Sequence, residues 1–212
     1  MLILEFKYDS DKDIENFIYG TRAVNISSPT KLQQKYIDKN GTNYEVEQVR
    51  KFIKSHISET NLNIEKSVKI VEENWKKVEK EFIPRAEKLF GITYPSSTVC
   101  AYLTTNERCS YNIGKGFFFV NPLTGSNSTI MHELFHFYTW EAFHDDLIRT
   151  RIDKLRYNDI KESLTELLNI EFTDLMDDGY DHGYPQHSEM RQKIRKLWLE
   201  TKDLRKVIFN II

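Results

Sequence analysis

Two runs of apolar residues at helical spacing constrain the fold of this chain more than any other feature of its sequence. Val46, Val49, Phe52, Ile53 and Ile57 recur at three- and four-residue steps, and after the polar break "SETNLN" the rhythm resumes at Ile64, Val68, Val71, Trp75, Val78 and Phe82. Such a stripe comes together only when a 3.6-residue period gathers the apolar side chains on one face. Residues 44 to 90 therefore read as an amphipathic helical hairpin. Pro84 is expected to end or kink its second helix, and Gly91 to close the turn that follows.

The flanking regions follow other rules. Residues 1 to 43 look irregular: "LILEFKY" is a candidate strand, "SDKDIENFIYG" a short helix capped by Ser10 or Asp11, and "NISSPTK" and "DKNGTN" are turn-rich. Between Pro95 and Pro122 the signal changes to short β-branched and aromatic runs, "STVCAYLTT", "RCSYNI" and "GFFFVNP", broken by "NE" and "GKG". These read as two or three strands of a small antiparallel sheet. From Ser128 onward the pattern is helical again: "TIMHELFHFYTWEAFH", "DDLIRTRIDKL", "DIKESLTELLNIEF" and, after the loop "MDDGYDHGYPQHS", "EMRQKIRKLWLETKDLRKVIF". The expected fold class is α+β, with a helical N-terminal part over residues 1–94 and the sheet and later helices over 95–212, joined in one compact unit.

Composition narrows the function classes. The chain has 212 residues, 40% of them hydrophobic and 13% aromatic, which is enough to bury a core. A net charge of −2, with acids and bases mixed along the chain, points to neither a nucleic-acid partner nor an anionic membrane. No apolar run approaches the length of a membrane span. The opening residues carry no basic leader and no small-residue cleavage site, so no signal peptide and a cytoplasmic location are expected. Cys100 and Cys109 fall on what read as neighbouring strands, where a disulfide is geometrically open, but reduced thiols are the expectation for such a compartment. Two isolated cysteines also lack the paired spacing of a thiolate metal site.

The chemistry concentrates at "HELFH", residues 132 to 136. Residues four apart share a helix face, so His132 and His136 can direct their imidazoles at one ion. Glu133, one position round, can reach a metal-bound water without being a ligand itself. Two neutral nitrogen ligands beside a carboxylate that takes a proton make the spacing suited to zinc hydrolysis. The alternative is a pair of histidines satisfied by ordinary hydrogen bonds.

A catalytic zinc needs a third protein ligand. His144 lies eight residues beyond His136, about 12 Å further along a helix, and is better placed as a C-terminal residue favoured by the helix dipole. In "KESLTELLN", Glu162 and Glu166 are four apart, opposite Leu164, Leu167 and Leu168. Carboxylates on the inner part of a helix are costly unless something cationic meets them. A zinc ion for Glu162 and an imidazole N–H for Glu166 would meet both needs.

Over residues 96 to 170 or so, "HELFH" followed by "ESLTE" resembles the gluzincin metallopeptidases, the thermolysin-like clan, whose pattern is His-Glu-x-x-His on one helix and Glu-x-x-x-Asp/Glu on a later one. The resemblance implies a zincin-like core in which His132, His136 and Glu162 bind Zn2+, Glu133 is the general base and later the proton donor, and Glu166 orients His132. It also implies a sheet edge that pairs with substrate backbone, here "CSYNI" or "GFFFV". Two features depart from the clan: Lys161 stands where an asparagine is usual, and the spacing from His136 to Glu162 is longer.

Peptide hydrolysis further needs a donor for the oxyanion. Tyr180 and His182 are the favoured candidates, in a loop that Gly179 and Gly183 would let bend over a cleft; Tyr184, His187 and Tyr157 are further options. The sequence thus points to a zinc metallopeptidase acting on a peptide or protein substrate, the N-terminal helices being a candidate surface for a protein partner. The alternatives are a zincin-like binding or scaffold protein with a structural or vestigial metal, and a helical regulator with no metal.

Overall fold

The computed structural model describes residues 2–22, 28–123, 127–149, 152–177 and 179–212. The chain forms two compact units that interleave along the sequence, one built from residues 3–76 and 97–125, the other from 1–2, 77–96 and 126–212.

The first unit carries the sheet. Strand β1 (Ile3–Tyr8) leads into α1 (Ser10–Arg22), α2 (Lys31–Asn40), α3 (Val46–Glu59) and the start of α4 (Ile64–Phe90), and then come β2 (Thr98–Leu103), β3 (Tyr111–Asn112) and β4 (Phe117–Val120). The order across the sheet is β1-β2-β4-β3; β1/β2 and β2/β4 pair in parallel, and only β3/β4 is antiparallel. This corrects the expected antiparallel sheet. The reason lies in the connections: four helices separate β1 from β2, and a crossover of this kind brings the chain back in its original direction. All four residues of β4 are buried, as suits a strand covered on both faces. β4 is an interior strand, so of the two segments expected at the sheet edge only "CSYNI", which contains β3, lies there. Because β4 stands between β2 and β3, Cys100 and Cys109 are not on neighbouring strands, and both are free thiols.

The helices of this unit close over Ile14, Phe17, Ile18, Leu32, Tyr36, Val49 and Ile53, a cluster to which Tyr44, Phe52 and Ile57 add their rings and chains. Helix α1 is capped by Asp9 rather than Ser10 or Asp11: its Oδ1 accepts from the backbone N–H of Asp11 at 2.8 Å and of Lys12 at 3.2 Å. Helix α2 lies in the stretch read as irregular; a capping box between Thr30 and Gln33 nucleates it despite a weak apolar stripe. Asp13 on α1 is wholly buried, and its carboxylate accepts hydrogen bonds from the Thr104 and Thr105 hydroxyls, the Thr105 N–H and the Tyr8 hydroxyl. Residues 23–27, which take in the first three of the turn-rich "NISSPTK", and residues 124–126 ahead of the next helix lie outside the described residues.

The second unit is helical. It takes the end of α4, then α5 (Asn127–Arg149), α6 (Lys154–Leu164), a 3-10 turn (Thr165–Leu167), α7 (Leu168–Glu171), a second 3-10 turn (Pro185–His187), α8 (Ser188–Thr201) and α9 (Leu204–Ile211). Helix α4 runs through Pro84 to Phe90, where Gly91 at φ +67° ends it. Pro84 does not stop it because the turns beside the proline are anchored: Phe82, Ile83, Ala86 and Phe90 are all buried. Their aromatic rings join Phe135, Tyr138 and Phe172 at centroid distances of 5.1–6.5 Å. "DDLIR" continues α5 instead of starting a new helix, and Lys202 in the left-handed region (φ 49°) splits the last expected helix into α8 and α9. The fold is therefore α+β, mostly helical with a small mixed sheet. Among the described residues no helix is long and apolar enough to cross a membrane.

Candidate metal centre

Helix α5 positions the motif. Ile130, Met131, Leu134, Phe135, Phe137, Tyr138 and Thr139 are all buried, so this stretch of the helix is enclosed on most sides, with His136 buried among them and His132 partly open to the groove beside it. His136 is only 1% exposed. The two imidazole rings sit 4.7 Å apart at 80°. Glu162 reaches them from α6: its Oε2 lies 3.5 Å from His132 Nε2 and its Oε1 3.5 Å from His136 Nε2. Potential donor atoms of His132, His136 and Glu162 all fall within 4.8 Å of one another. Three side chains from two helices thus present their donors to one point.

Glu133 is 6% exposed, and among the described residues its Oε2 has no hydrogen-bond partner. A buried carboxylate oxygen without a donor is expensive, and its presence beside a triad of ligand types fits a group that protein atoms alone do not provide. Burial pushes the Glu133 carboxyl up to about 7; His132 draws it down and Glu162 raises it. That places its proton affinity near neutrality, where a group can both take and give a proton.

The surrounding charges sort the other groups. Burial opposes a charge on His132, but the hydrogen bonds it donates to Asp181 and Glu162 prevail and push it up to about 10. Burial, followed by the Lys161 ammonium, drives His136 well below its ordinary value, so it stands as a neutral imidazole. Glu162 is held well below the usual carboxylate range: burial works against its charge, and the hydrogen bond with His132 and the Lys161 ammonium outweigh it. Lys161, 1% exposed, places its ammonium on Glu162 Oε1. The residue that departs from the gluzincin pattern is therefore inside the site.

Glu166 does not take the place expected for it beside His132. Its carboxylate meets Arg191 at 2.8 Å, the Arg195 Nε at 2.7 Å and the Asn169 amide at 3.2 Å. The cause is local: α6 ends at Leu164, and the 3-10 turn over Thr165–Leu167 advances about 120° per residue instead of about 100°, which takes residue 166 off the face of Glu162. The carboxylate on His132 is Asp181, whose Oδ1 lies 3.1 Å from Nδ1. Nothing in the local sequence pattern marks Asp181 as a partner of His132, apart from the glycines at 179 and 183 that flank it.

Tyr180 and His182 are exposed, with ring centroids 5.2 Å apart, and they line an open groove of about 270 Å3 together with Ser128, Thr129, His132, Asp181, Gly183 and Tyr184. His187 is turned away, its Nε2 within 3.2 Å of Asp159 Oδ1. Tyr157 and His144 pack around Trp140 instead, His144 stacking on the indole at 3.5 Å. No protein-family model, no curated protein and no solved structure matches the chain.

Proposed function

We propose that the chain is a zinc-dependent metallopeptidase with a zincin-like, gluzincin-type centre, in which His132, His136 and Glu162 hold the ion and Glu133 is the general base. The observation that carries this reading is the convergence of three donor side chains within 4.8 Å beside a buried carboxylate oxygen that has no partner among the described residues. When bound, zinc lowers the pKa of a coordinated water towards about 7 and polarises a substrate carbonyl.

The chain's own residues supply the rest. His132 and His136 offer Nε2, with Glu162 facing both, and His136 is already neutral as a ligand must be. Glu133 accepts the proton of the attacking water at its carboxylate and returns it to the departing amine nitrogen; a group poised at about 7 suits both halves of that transfer. The enclosure of α5 excludes bulk water from one side of the centre, and the groove by Tyr180 and His182 leaves the other side open to an extended peptide. Either ring can donate to a developing oxyanion.

A second reading is favoured by Lys161. Its ammonium on Glu162 gives the carboxylate a cation without any metal, which is what a non-catalytic binding or scaffold protein with a vestigial site would retain. Metal analysis combined with Glu133→Gln separates the two. The peptidase retains zinc in this variant and loses cleavage of a peptide library by roughly 100-fold or more. A protein that carries no zinc and takes up none, or cleaves equally well without Glu133, is not this enzyme.

A further inference from the structure

We infer that Asp181 is the positioning residue of the centre: it fixes the His132 imidazole through Nδ1, and Glu166 acts on it at one remove through Arg191. The inference rests on the zinc reading above and deepens it by naming what holds a ligand in place.

Asp181 is gripped at every polar atom it has. Its N–H donates to Asn169 Oδ1 at 2.6 Å, and its carbonyl oxygen accepts from Asn169 Nδ2 at 2.8 Å and from Arg191 Nη2 at 2.6 Å. In its side chain, Oδ2 meets Arg191 Nη1 at 3.1 Å and Oδ1 meets His132 Nδ1 at 3.1 Å, and Thr165 hydrogen-bonds the carboxylate as well. A loop residue held by two side chains through both its N–H and its carbonyl oxygen cannot swing, so the direction of its carboxylate is set by the fold.

Arg191 is itself fixed. It donates to Thr165 Oγ1 at 2.7 Å and meets Glu166 Oε2 at 2.8 Å, while Arg195 holds the other oxygen of Glu166. Gly183 completes the fit: at φ +60° it leaves room where a Cβ would come within 2.6 Å of Arg191 Nη1. The contacts thus run from Glu166 through Arg191 and Asp181 to His132, all within one compact unit.

Chemically, a carboxylate on Nδ1 keeps the proton there and leaves the Nε2 lone pair for a cation. It also aims the ring, because an imidazole hydrogen-bonded at one nitrogen cannot rotate away from Glu162 without breaking that bond.

The test uses the whole chain. Zinc dissociation constants are measured by chelator competition for the wild type, Asp181→Ala, Asp181→Asn and Asn169→Ala, and the imidazole nitrogens are followed by 15N NMR. Asp181→Ala is expected to weaken zinc binding by roughly 10- to 100-fold and to abolish the hydrogen-bonded Nδ1 proton of His132. Asp181→Asn, which retains an acceptor oxygen of the same shape, falls in between. Asn169→Ala leaves the carboxylate in place but frees its backbone, so it weakens zinc in the same direction without stripping a charge from the network. Wild-type zinc affinity in both Asp181→Ala and Asn169→Ala, with the Nδ1 proton unchanged, would overturn the assignment. If the wild type itself takes up no zinc, the peptidase reading fails alone, and the Nδ1 proton read in the metal-free protein then decides the role of Asp181.

Discussion

Asp13 in the sheet unit and Glu133 in the helical unit are both carboxylates buried on a helix, yet Asp13 receives hydrogen bonds from Tyr8, Thr104 and Thr105 while Glu133 Oε2 has no partner among the described residues. Asp13 is enclosed by two threonine hydroxyls, a tyrosine hydroxyl and a backbone N–H, groups that stay neutral near pH 7 and bind metals poorly. Glu133 stands among His132, His136, Glu162 and Lys161, all of which do one or the other. A buried charge supplied with enough donors is a structural element; one left short beside convergent ligand atoms is the pattern on which the proposed metal centre rests.

The largest effect that can break this contrast is catalytic. Glu133→Gln should lower peptide cleavage by roughly 100- to 10,000-fold, read as initial rates at equal zinc content, whereas Asp13→Asn should leave the rate unchanged. An equal loss in both variants would mean that the two carboxylates do not differ in kind. Stability should respond in the reverse sense. Asp13→Ala strands four donors in the interior and should cost about 3 kcal/mol in denaturant unfolding, while Glu133→Gln, which removes an uncompensated buried charge, should be neutral or mildly stabilising.

Metal removal gives the next effect. Zinc at 100 times its dissociation constant adds about 2.7 kcal/mol to the folded state, so chelation should lower the melting temperature of the wild type and leave that of His136→Ala unmoved. The smallest effect is on pH dependence. Burial raises the Asp13 carboxyl above its ordinary 3.8, with the Thr104 and Thr105 hydrogen bonds only partly offsetting it. The folded state therefore holds that proton more tightly than the unfolded chain, and the Asp13 contribution to stability declines as pH rises from 3.8 towards the folded value. Relative to Asp13→Asn, the wild type should lose stability across that window; a difference that stays flat would show that the hydrogen bonds fully compensate for burial.

Much of this architecture is legible in the chain because it depends on local periodicity. Two helices between residues 44 and 90, a helix bearing His132 and His136 on one side, and an inward-facing Glu162 follow from side-chain spacing alone. What escaped depends on chain paths and on breaks in regular geometry. Parallel pairing of β1, β2 and β4 is decided by the crossovers between them, although the unbroken apolar run of "FFFV" hinted at a strand covered on both faces. Glu166 left the face of Glu162 because a 3-10 turn intervened, and "LTEL" carries no glycine or proline to announce one. Asp181 reaches His132 only through the closure of a loop by Asn169 and Arg191, contacts spanning 12 and 10 positions that no local pattern encodes. Helix α2 was hidden for the opposite reason: its capping box was present in the sequence, but its apolar stripe is thin.

The most direct measurement is the zinc content of the purified chain alongside Glu162→Ala, taken by mass spectrometry under native conditions after loading and desalting. The account predicts about one zinc per wild-type chain and none retained by the variant, because the third ligand then has no replacement. A wild-type chain that emerges without metal, or a variant that holds zinc as firmly as the wild type, would contradict it.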